Sequence, residues 1–595
     1  MLHRLTRARM ALLAGMAAMA AVNLYSQPSV LTWHNDNART GQNLQESILT
    51  LANVKTPTFG RLFTLTVSGE VDAQPLYVPG LTIASQAHNV LYIVTEHDNV
   101  YAFDADTGAV LKEVSLIPAN QTTSDDRSCG QVTPEIGITS TPAIDLNVGA
   151  HGTMFVVAMA KDGNGNYHHY IHALDLTTLA DEVTAVEVTA TYPGSSGSEK
   201  KNSGDTVQTF LPAQHKERSA LLISNGVVYT SWSSHCDYGP YTSWVIGYKE
   251  STLAQTSVLN LVPNGSDGGI WNAGSGPQAD AAGNVYIAIG NGTFDTTLLG
   301  NGMPSENDYG NAYVRISTTS GMAVADYFTM SGTVSESGSD TDLGSGGGML
   351  LPPLNDSNGN SRQLAVVAGK DANIYVMDRT NLGKFNPSTD EMYQQVSGAL
   401  ASGVWSSPAW FNGTLYYGAQ GDTVKAVTFA DGKFGTTPAS QTSHAFGYPG
   451  ATPAISANGT SNAIAWVAEN TTPAVLHAFN AGNLASELYN SNQAANGADH
   501  FGAGNKFIVP TIVNGKVYVA AAGACTSSTC TGEVGVFGLV NTSATPDFSV
   551  GISPSSRTVA SGAATTYTVT TTATGGFTGT VDFAVSGLPS RTDIS

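Results

Sequence analysis

Apolar residues along this chain come in short runs, broken by Asn, Gly, Asp and Pro, rather than at helical spacing. The clearest set is A-Q-P-L-Y-V at 73–78, N-V-L-Y-I-V-T at 89–95 and N-V-Y-A-F-D-A-D-T-G at 99–108. Its order is a Pro-led strand, a turn, an apolar strand, a polar turn, and a strand ending in Asp and a second turn. The same order restarts at Thr141-Pro142, Ser219, Gly276-Pro277, Met349, Ser407-Pro408, Thr452-Pro453 and Val509-Pro510, which makes eight units. Asn225-Gly226, Asn412-Gly413 and Asn514-Gly515 stand where consecutive strands should meet in tight hairpins. One such sheet cannot bury both faces alone, whereas radial stacking of four-stranded sheets buries them. The pattern therefore predicts an all-β chain, an eight-bladed β-propeller of four-stranded antiparallel blades over 30–540. A β-solenoid would need shorter and more regular rungs. The free strand F-G-R-L-F-T-L-T-V at 59–67 precedes the first unit and should complete the last blade, closing the ring.

Composition agrees with this class. The chain is 595 residues long, 12% charged, with 64 Gly, 25 Pro and a net charge of −21. A field of that sign repels phosphate backbones and argues against a nucleic-acid partner. Residues 1–26 read as a signal peptide: His3, Arg4, Arg7 and Arg9 precede an apolar run at 10–22, and Ala18 and Ala20 offer a cleavage site. The apolar run is too short for a stable membrane span, and none of comparable length follows. The mature chain is thus expected to be secreted, periplasmic or at the cell surface. The four cysteines then read as two disulfides, Cys525–Cys530 across a hairpin and Cys129–Cys236 at long range. No C-x-x-C-H haem attachment motif occurs.

After residue 540 the texture changes. Residues 541–547 form a polar linker. The Thr-rich alternation of 548–595 resembles the first strands of an Ig-like sandwich module, about half of one by length.

Chemistry concentrates between residues 265 and 383. There G-S-D-G-G-I-W-N-A-G-S-G-P (265–277), Y-I-A-I-G-N (286–291), S-D-T-D-L-G (339–344) and K-D-A-N-I-Y-V-M-D-R-T (370–380) alternate strands with Gly- and Asp-rich loops. Together with W-H-N-D-N-A-R-T-G-Q-N (33–43), these motifs resemble the quinoprotein alcohol dehydrogenases, a family of eight-bladed propellers that hold pyrroloquinoline quinone (PQQ) and calcium. The resemblance covers 31–539. It implies Trp271 as the aromatic floor under the quinone, Asn291 as a calcium ligand, and Asp342 as both metal ligand and catalytic base. It implies Lys370 as the cation beside the quinone oxygens. Arg379 reads as structural. The substrate would be an alcohol or sugar, with electrons passed to a separate acceptor.

Three departures from the family pattern stand against this. The calcium-binding Glu expected on blade two falls near Asn164. The adjacent-cysteine disulfide is absent, since Gly130 follows Cys129. An expected Asn is Val404. Glu135 is the nearest substitute for the missing carboxylate. The alternative reading is a non-enzymatic exported propeller that binds a glycan or protein, with the Ig-like part as spacer. A hydrolase has no triad or carboxylate pair to support it. H-C-D-Y-G-P (235–240) reads as a disulfide-bonded loop rather than a metal site, and His168, His169 and His172 alternate between sheet faces. Trp405, Tyr448 and Phe501 precede Pro-led strands, where they either line a channel-mouth pocket or pack between blades.

Overall fold

The computed structural model describes residues 28–195, 199, 204–526, 528–540, 547–553, 556–574, 580, 581 and 583. The chain folds into eight blades, each built on four antiparallel strands, arranged as a β-propeller. Blade one runs Leu76–Ile83, Gln86–Val94, Asn99–Asp104 and Val110–Ser115. Blade four runs Gln278–Ala279, Val285–Ala288, Tyr313–Ser317 and Ala323–Phe328. Blade six ends in Ser440–Phe446. Blade seven runs Ala454–Asn458, Ser461–Glu469, Val475–Asn480 and Glu487–Asn490.

The predicted closure is present. Phe59–Ser68 pairs with Cys530–Leu539, so the outermost strand of blade eight comes from the start of the chain. The three Asn-Gly pairs take positive φ at both residues, from 44° to 82°, as the tight hairpins require. Asp caps the turn after the third strand. In blade one, Asp104 Oδ1 accepts from the amides of Asp106 and Thr107 at 3.0 and 2.8 Å.

The core lies between blades. Tyr286, Ala288, Tyr313 and Phe328 of blade four pack on Ala365, Val367, Tyr375 and Met377 of blade five. In this layer Tyr313 donates to Gln278 Oε1 at 2.8 Å and Tyr375 to Asp371 Oδ2 at 2.6 Å.

The W-H-N-D-N-A-R-T-G-Q-N segment has a place that its sequence alone did not suggest. It is threaded along the inner edges of the blades. Backbone carbonyls of Val30, Leu31, Asn37, Ala38, Thr40 and Gly41 accept from Tyr77, Ile144, Ala279, Leu350, Trp410 and Ile455, each on the innermost strand of a different blade. Arg39 reaches Leu221 O of blade three at 3.1 Å, and Asn43 reaches Ile512 O of blade eight at 3.0 Å. All eight inner edges, which would otherwise be unpaired, are thus capped by one buried strap. Gly41, at φ 66°, lies where any Cβ would strike the His34 ring.

Two expectations change. Among the described residues, one short helix, Thr333–Gly338, and four 3-10 turns interrupt the all-strand pattern, each in a connection from the last strand of one blade to the first of the next. At the C-terminal end, Asp547–Ser553 pairs with Thr568–Thr574 as a two-stranded ribbon. A sandwich is not shown among the described residues. Residues 1–26 and most of the 541–547 linker lie outside the described residues. Among the described residues no helix is long and apolar enough to cross a membrane. Both expected disulfides are formed, Cys129–Cys236 and Cys525–Cys530, which fits an extracytoplasmic chain.

Candidate functional site

In every blade the loops before the first strand and between the second and third strands lie on one face. On that face they line an open pocket. Its walls include Trp271, Asn291, Asp342 and Lys370, the four residues singled out from the sequence, together with Asp340, Trp405 and Tyr448. These positions are up to 177 residues apart along the chain (448 minus 271) and are brought together only by the ring.

Each comes from a loop whose backbone is fixed. Asp342 leads into the turn Leu343–Ser345, whose first amide donates to Asn311 Oδ1 at 2.7 Å. Lys370 follows the strand Leu364–Ala368, and its amide donates to Asp342 O at 3.0 Å. Gly290 is needed beside them, because a Cβ there would lie 2.8 Å from Trp271 Cδ1 and 3.1 Å from Asp342 Oδ2. Trp271 itself is only half-buried and turns its indole to the pocket.

The electrostatics are unusual for a protein surface. Asp342 is 2% exposed and sits 2.7 Å from Lys370 Nζ. Burial pushes its carboxyl up, and the Lys370 charge pulls it part of the way back. Burial would lower Lys370, but Asp342 and Asp340 outweigh it and hold the ammonium above its usual range. Lys370 also pairs with Asp340, whose Oδ1 accepts from Asn291 Nδ2 at 2.5 Å. The remaining Asn291 oxygen is buried, with no hydrogen bond among the described residues. An orphaned acceptor at a pocket wall is a position from which a bound group would be held.

Sequence reasoning missed the opposite wall. Arg218, Lys506, Phe507, Gln131 and Asp237 also line the pocket. Each of three cations lies over an aromatic ring: Arg218 on Phe507 at 4.7 Å, Lys506 on Tyr448 at 5.7 Å, and Lys370 on Trp405 at 5.8 Å. The signal for Arg218 was available, since it precedes an innermost strand just as Trp271 and Trp405 do. Asp237 is held at the rim because Cys236 is tied to Cys129, two residues from Gln131.

Other candidates fall elsewhere. Glu135 bonds His97 at 2.8 Å and Thr123 at 3.0 Å and is absent from the pocket, so it does not replace the missing carboxylate. Asn164 serves a turn closed on Asp162. Phe501 packs on Phe537 rather than lining the mouth. Arg379 is buried and donates to Leu351 O, a structural role as expected. Behind Arg218 lies a buried group of charges. Asp72 pairs with Arg218 at 3.1 Å, and Glu96 and Lys216 lie nearby. Burial pushes Glu96 well above the carboxylate range, and pulls Lys216 down to about 7.

An eight-bladed propeller with a charged aromatic pocket at one mouth is the class that fold and site define. No family model matches the sequence, and no curated protein matches it. Among solved structures the chain is similar to the quinohemoprotein alcohol dehydrogenase of Comamonas testosteroni, with a TM-score of 0.54 at 15% identity over 86% of this chain and 80% of that one. It is similar to the quinohemoprotein alcohol dehydrogenase ADHIIG of Pseudomonas putida HK5, with a TM-score of 0.55 at 12% identity over 86% and 80%. A europium-containing methanol dehydrogenase matches with a TM-score of 0.53 at 12% identity over 86% and 98%. At these identities the likeness is one of fold.

Proposed function

We propose that the pocket binds a planar, polyanionic quinone of the PQQ type and that the chain is an exported quinone-dependent dehydrogenase acting on an alcohol or sugar. The observation that carries this reading is the convergence of Trp271, Asn291, Asp342 and Lys370 on one pocket. The residues suit the organic group: Trp271 and Trp405 offer aromatic faces, and Lys370, Arg218 and Lys506 offer cations for carboxylates or quinone oxygens. They suit calcium less well. One buried carboxylate, Asp342, is already paired with an ammonium, and Asn291 adds a single neutral oxygen. A hard dication takes six to eight oxygens and usually more charge. No step is therefore assigned to a metal.

In this reading the bound quinone supplies a two-electron acceptor for hydride. Asp342 Oδ takes the proton of the substrate hydroxyl as hydride leaves the carbon, which turns an alcohol into a carbonyl. The Lys370 ammonium steadies negative charge developing on the acceptor oxygens. Asp340 keeps Lys370 in place. A separate acceptor would take up the two electrons that the quinone supplies a place for.

The test is to add PQQ to purified protein, follow tryptophan quenching, and assay dye reduction with alcohols and sugars. Saturable binding that weakens at least about tenfold in Trp271→Ala, with turnover abolished in Asp342→Asn, is the expected result. No saturable binding sinks the proposal. A second reading, a non-enzymatic propeller holding a glycan or protein at the mouth, draws on the Lys370–Asp342 pair standing where a metal would sit. PQQ binding without turnover in any substrate class would favour it.

A further inference from the structure

We propose that His444, Glu469 and His477 form a binding site for one divalent transition-metal ion of the zinc class, at the junction of blades six and seven. The site is separate from the pocket and does not depend on the quinone reading.

Three elements build it. His444 stands near the end of the outermost strand of blade six, Ser440–Phe446. Glu469 ends the second strand of blade seven, and His477 lies early in the third. Pairing of Val467 with His477 and of Glu469 with Val475 puts Glu469 and His477 on one sheet face as diagonal neighbours. That face meets His444, whose ring lies 5.3 Å from the His477 ring.

The donor atoms converge. His444 Nε2 is 2.8 Å from Glu469 Oε1, and His477 Nε2 is 3.2 Å from Glu469 Oε2. All three donors lie within 4.8 Å of one another. A tetrahedral ion bound at about 2.0–2.2 Å requires donors about 3.3–3.6 Å apart, so small side-chain adjustments admit it. Two imidazoles and a carboxylate suit zinc, cobalt, nickel or copper rather than calcium or magnesium.

Two further observations point to a ligand. The far nitrogen of His477, Nδ1, is 2.8 Å from Glu487 Oε1, and Asn490 holds that oxygen at 3.0 Å. A carboxylate behind a histidine is the arrangement that orients a metal-binding imidazole. Second, the His477 side chain is 6% exposed and both of its ring nitrogens face carboxylates, so a divalent ion at Nε2 would take the place of a proton there while Glu487 keeps Nδ1. His444 is 44% exposed, which leaves a side open for water as the fourth ligand.

The site also lies against the pocket rim. Asn470, next to Glu469, donates to Tyr448 O at 3.3 Å, and Tyr448 is four residues beyond His444. A bound ion would fasten the strand that carries this wall of the pocket.

The experiment is a calorimetric titration of chelator-treated protein with ZnCl₂, repeated with Co²⁺ to read its visible absorption. One ion per chain with a Kd of about 1 μM or tighter is expected. His444→Ala should lower the affinity at least about 100-fold, and Glu487→Gln about tenfold. Because His444 is half-exposed, His444→Ala should unfold at the same temperature as the unaltered protein when both hold chelator. Absence of saturable binding below about 100 μM, or equal affinity in His444→Ala, overturns the proposal.

Discussion

The two regions of the central channel, one beneath the pocket and one at its mouth, are built on opposite principles. Beneath the pocket, the strap at 30–43 meets all eight blades, and its polar groups are paired. Arg39 is fully buried and its guanidinium donates to Pro277 O, Thr32 Oγ1, Trp33 O and Leu221 O at 2.7–3.1 Å. His34 spans Arg39 O and Pro453 O at 3.0 and 2.8 Å. At the mouth, buried polar atoms are left without hydrogen bonds among the described residues, including Asn291 Oδ1 and both side-chain polar atoms of Asn272. Unpaired buried groups cost stability. Paired polar groups thus stabilise the ring along the strap, whereas the mouth carries unpaired ones that lower stability.

The sharpest way to break that contrast is at Arg39. Arg39→Met removes donors from three buried carbonyls, with no water to replace them. A loss of about 4 kcal/mol in unfolding free energy is expected, read by chemical denaturation. A loss below about 1 kcal/mol would show that the strap does not hold the ring. A smaller effect is expected at the mouth. Lys370→Met leaves Asp342 buried beside Asp340, but Lys370 is partly exposed, so the loss should be about 2 kcal/mol. Adding Asp342→Asn to Lys370→Met should recover most of it, because the charge needing a partner is then gone. If the double variant is less stable than Lys370→Met alone, the pair does not explain the site's electrostatics.

The blades were legible in the sequence because each strand carries its own local signals: Asn-Gly turns, terminal Asp, Pro-led starts. The closing strand at 59–67 was legible because it had no local partner. Trp271, Asn291, Asp342 and Lys370 were legible through motif resemblance, and the ring does place them together. Lys506 and Asp237 were not, because what gathers them is the shared face of loops far apart in sequence, and their local motifs are ordinary. The strap was invisible for a similar reason: its partners are backbone carbonyls and amides, which carry no sequence signature. The Ig-like expectation rested on strand alternation alone, and alternation cannot tell a two-stranded ribbon from the start of a sandwich.

At pH 5 the smallest effect is expected at Glu96, and its pH dependence is the most discriminating. Burial, reinforced by the neighbouring Asp72 charge, pushes Glu96 well above the carboxylate range. Burial would raise Asp72 as well, but Arg218 outweighs it and keeps Asp72 below. Glu96 thus holds its proton while Asp72 is charged. Glu96 Oε2 accepts from Gly137 N at 2.9 Å and Thr139 Oγ1 at 3.0 Å, and a glutamine oxygen can take both. At pH 5 Glu96→Gln should therefore lie within about 1 kcal/mol of the unaltered protein. In the unfolded chain Glu96 ionises above its ordinary value of 4.5, whereas in the folded chain it keeps the proton. The unaltered protein accordingly loses stability from this group as pH rises from 4.5 toward the raised value, and glutamine loses none. The stability difference should shift in favour of Glu96→Gln by up to about 1.4 kcal/mol per pH unit between pH 5 and 7. A difference that stays flat across this range would mean that Glu96 is ionised in the fold, with Lys216 or Arg218 as its counter-ion. The charges behind Arg218 would then be a balanced ion network like any paired interior, and the contrast with the strap would reduce to the pocket's blade-four and blade-five wall.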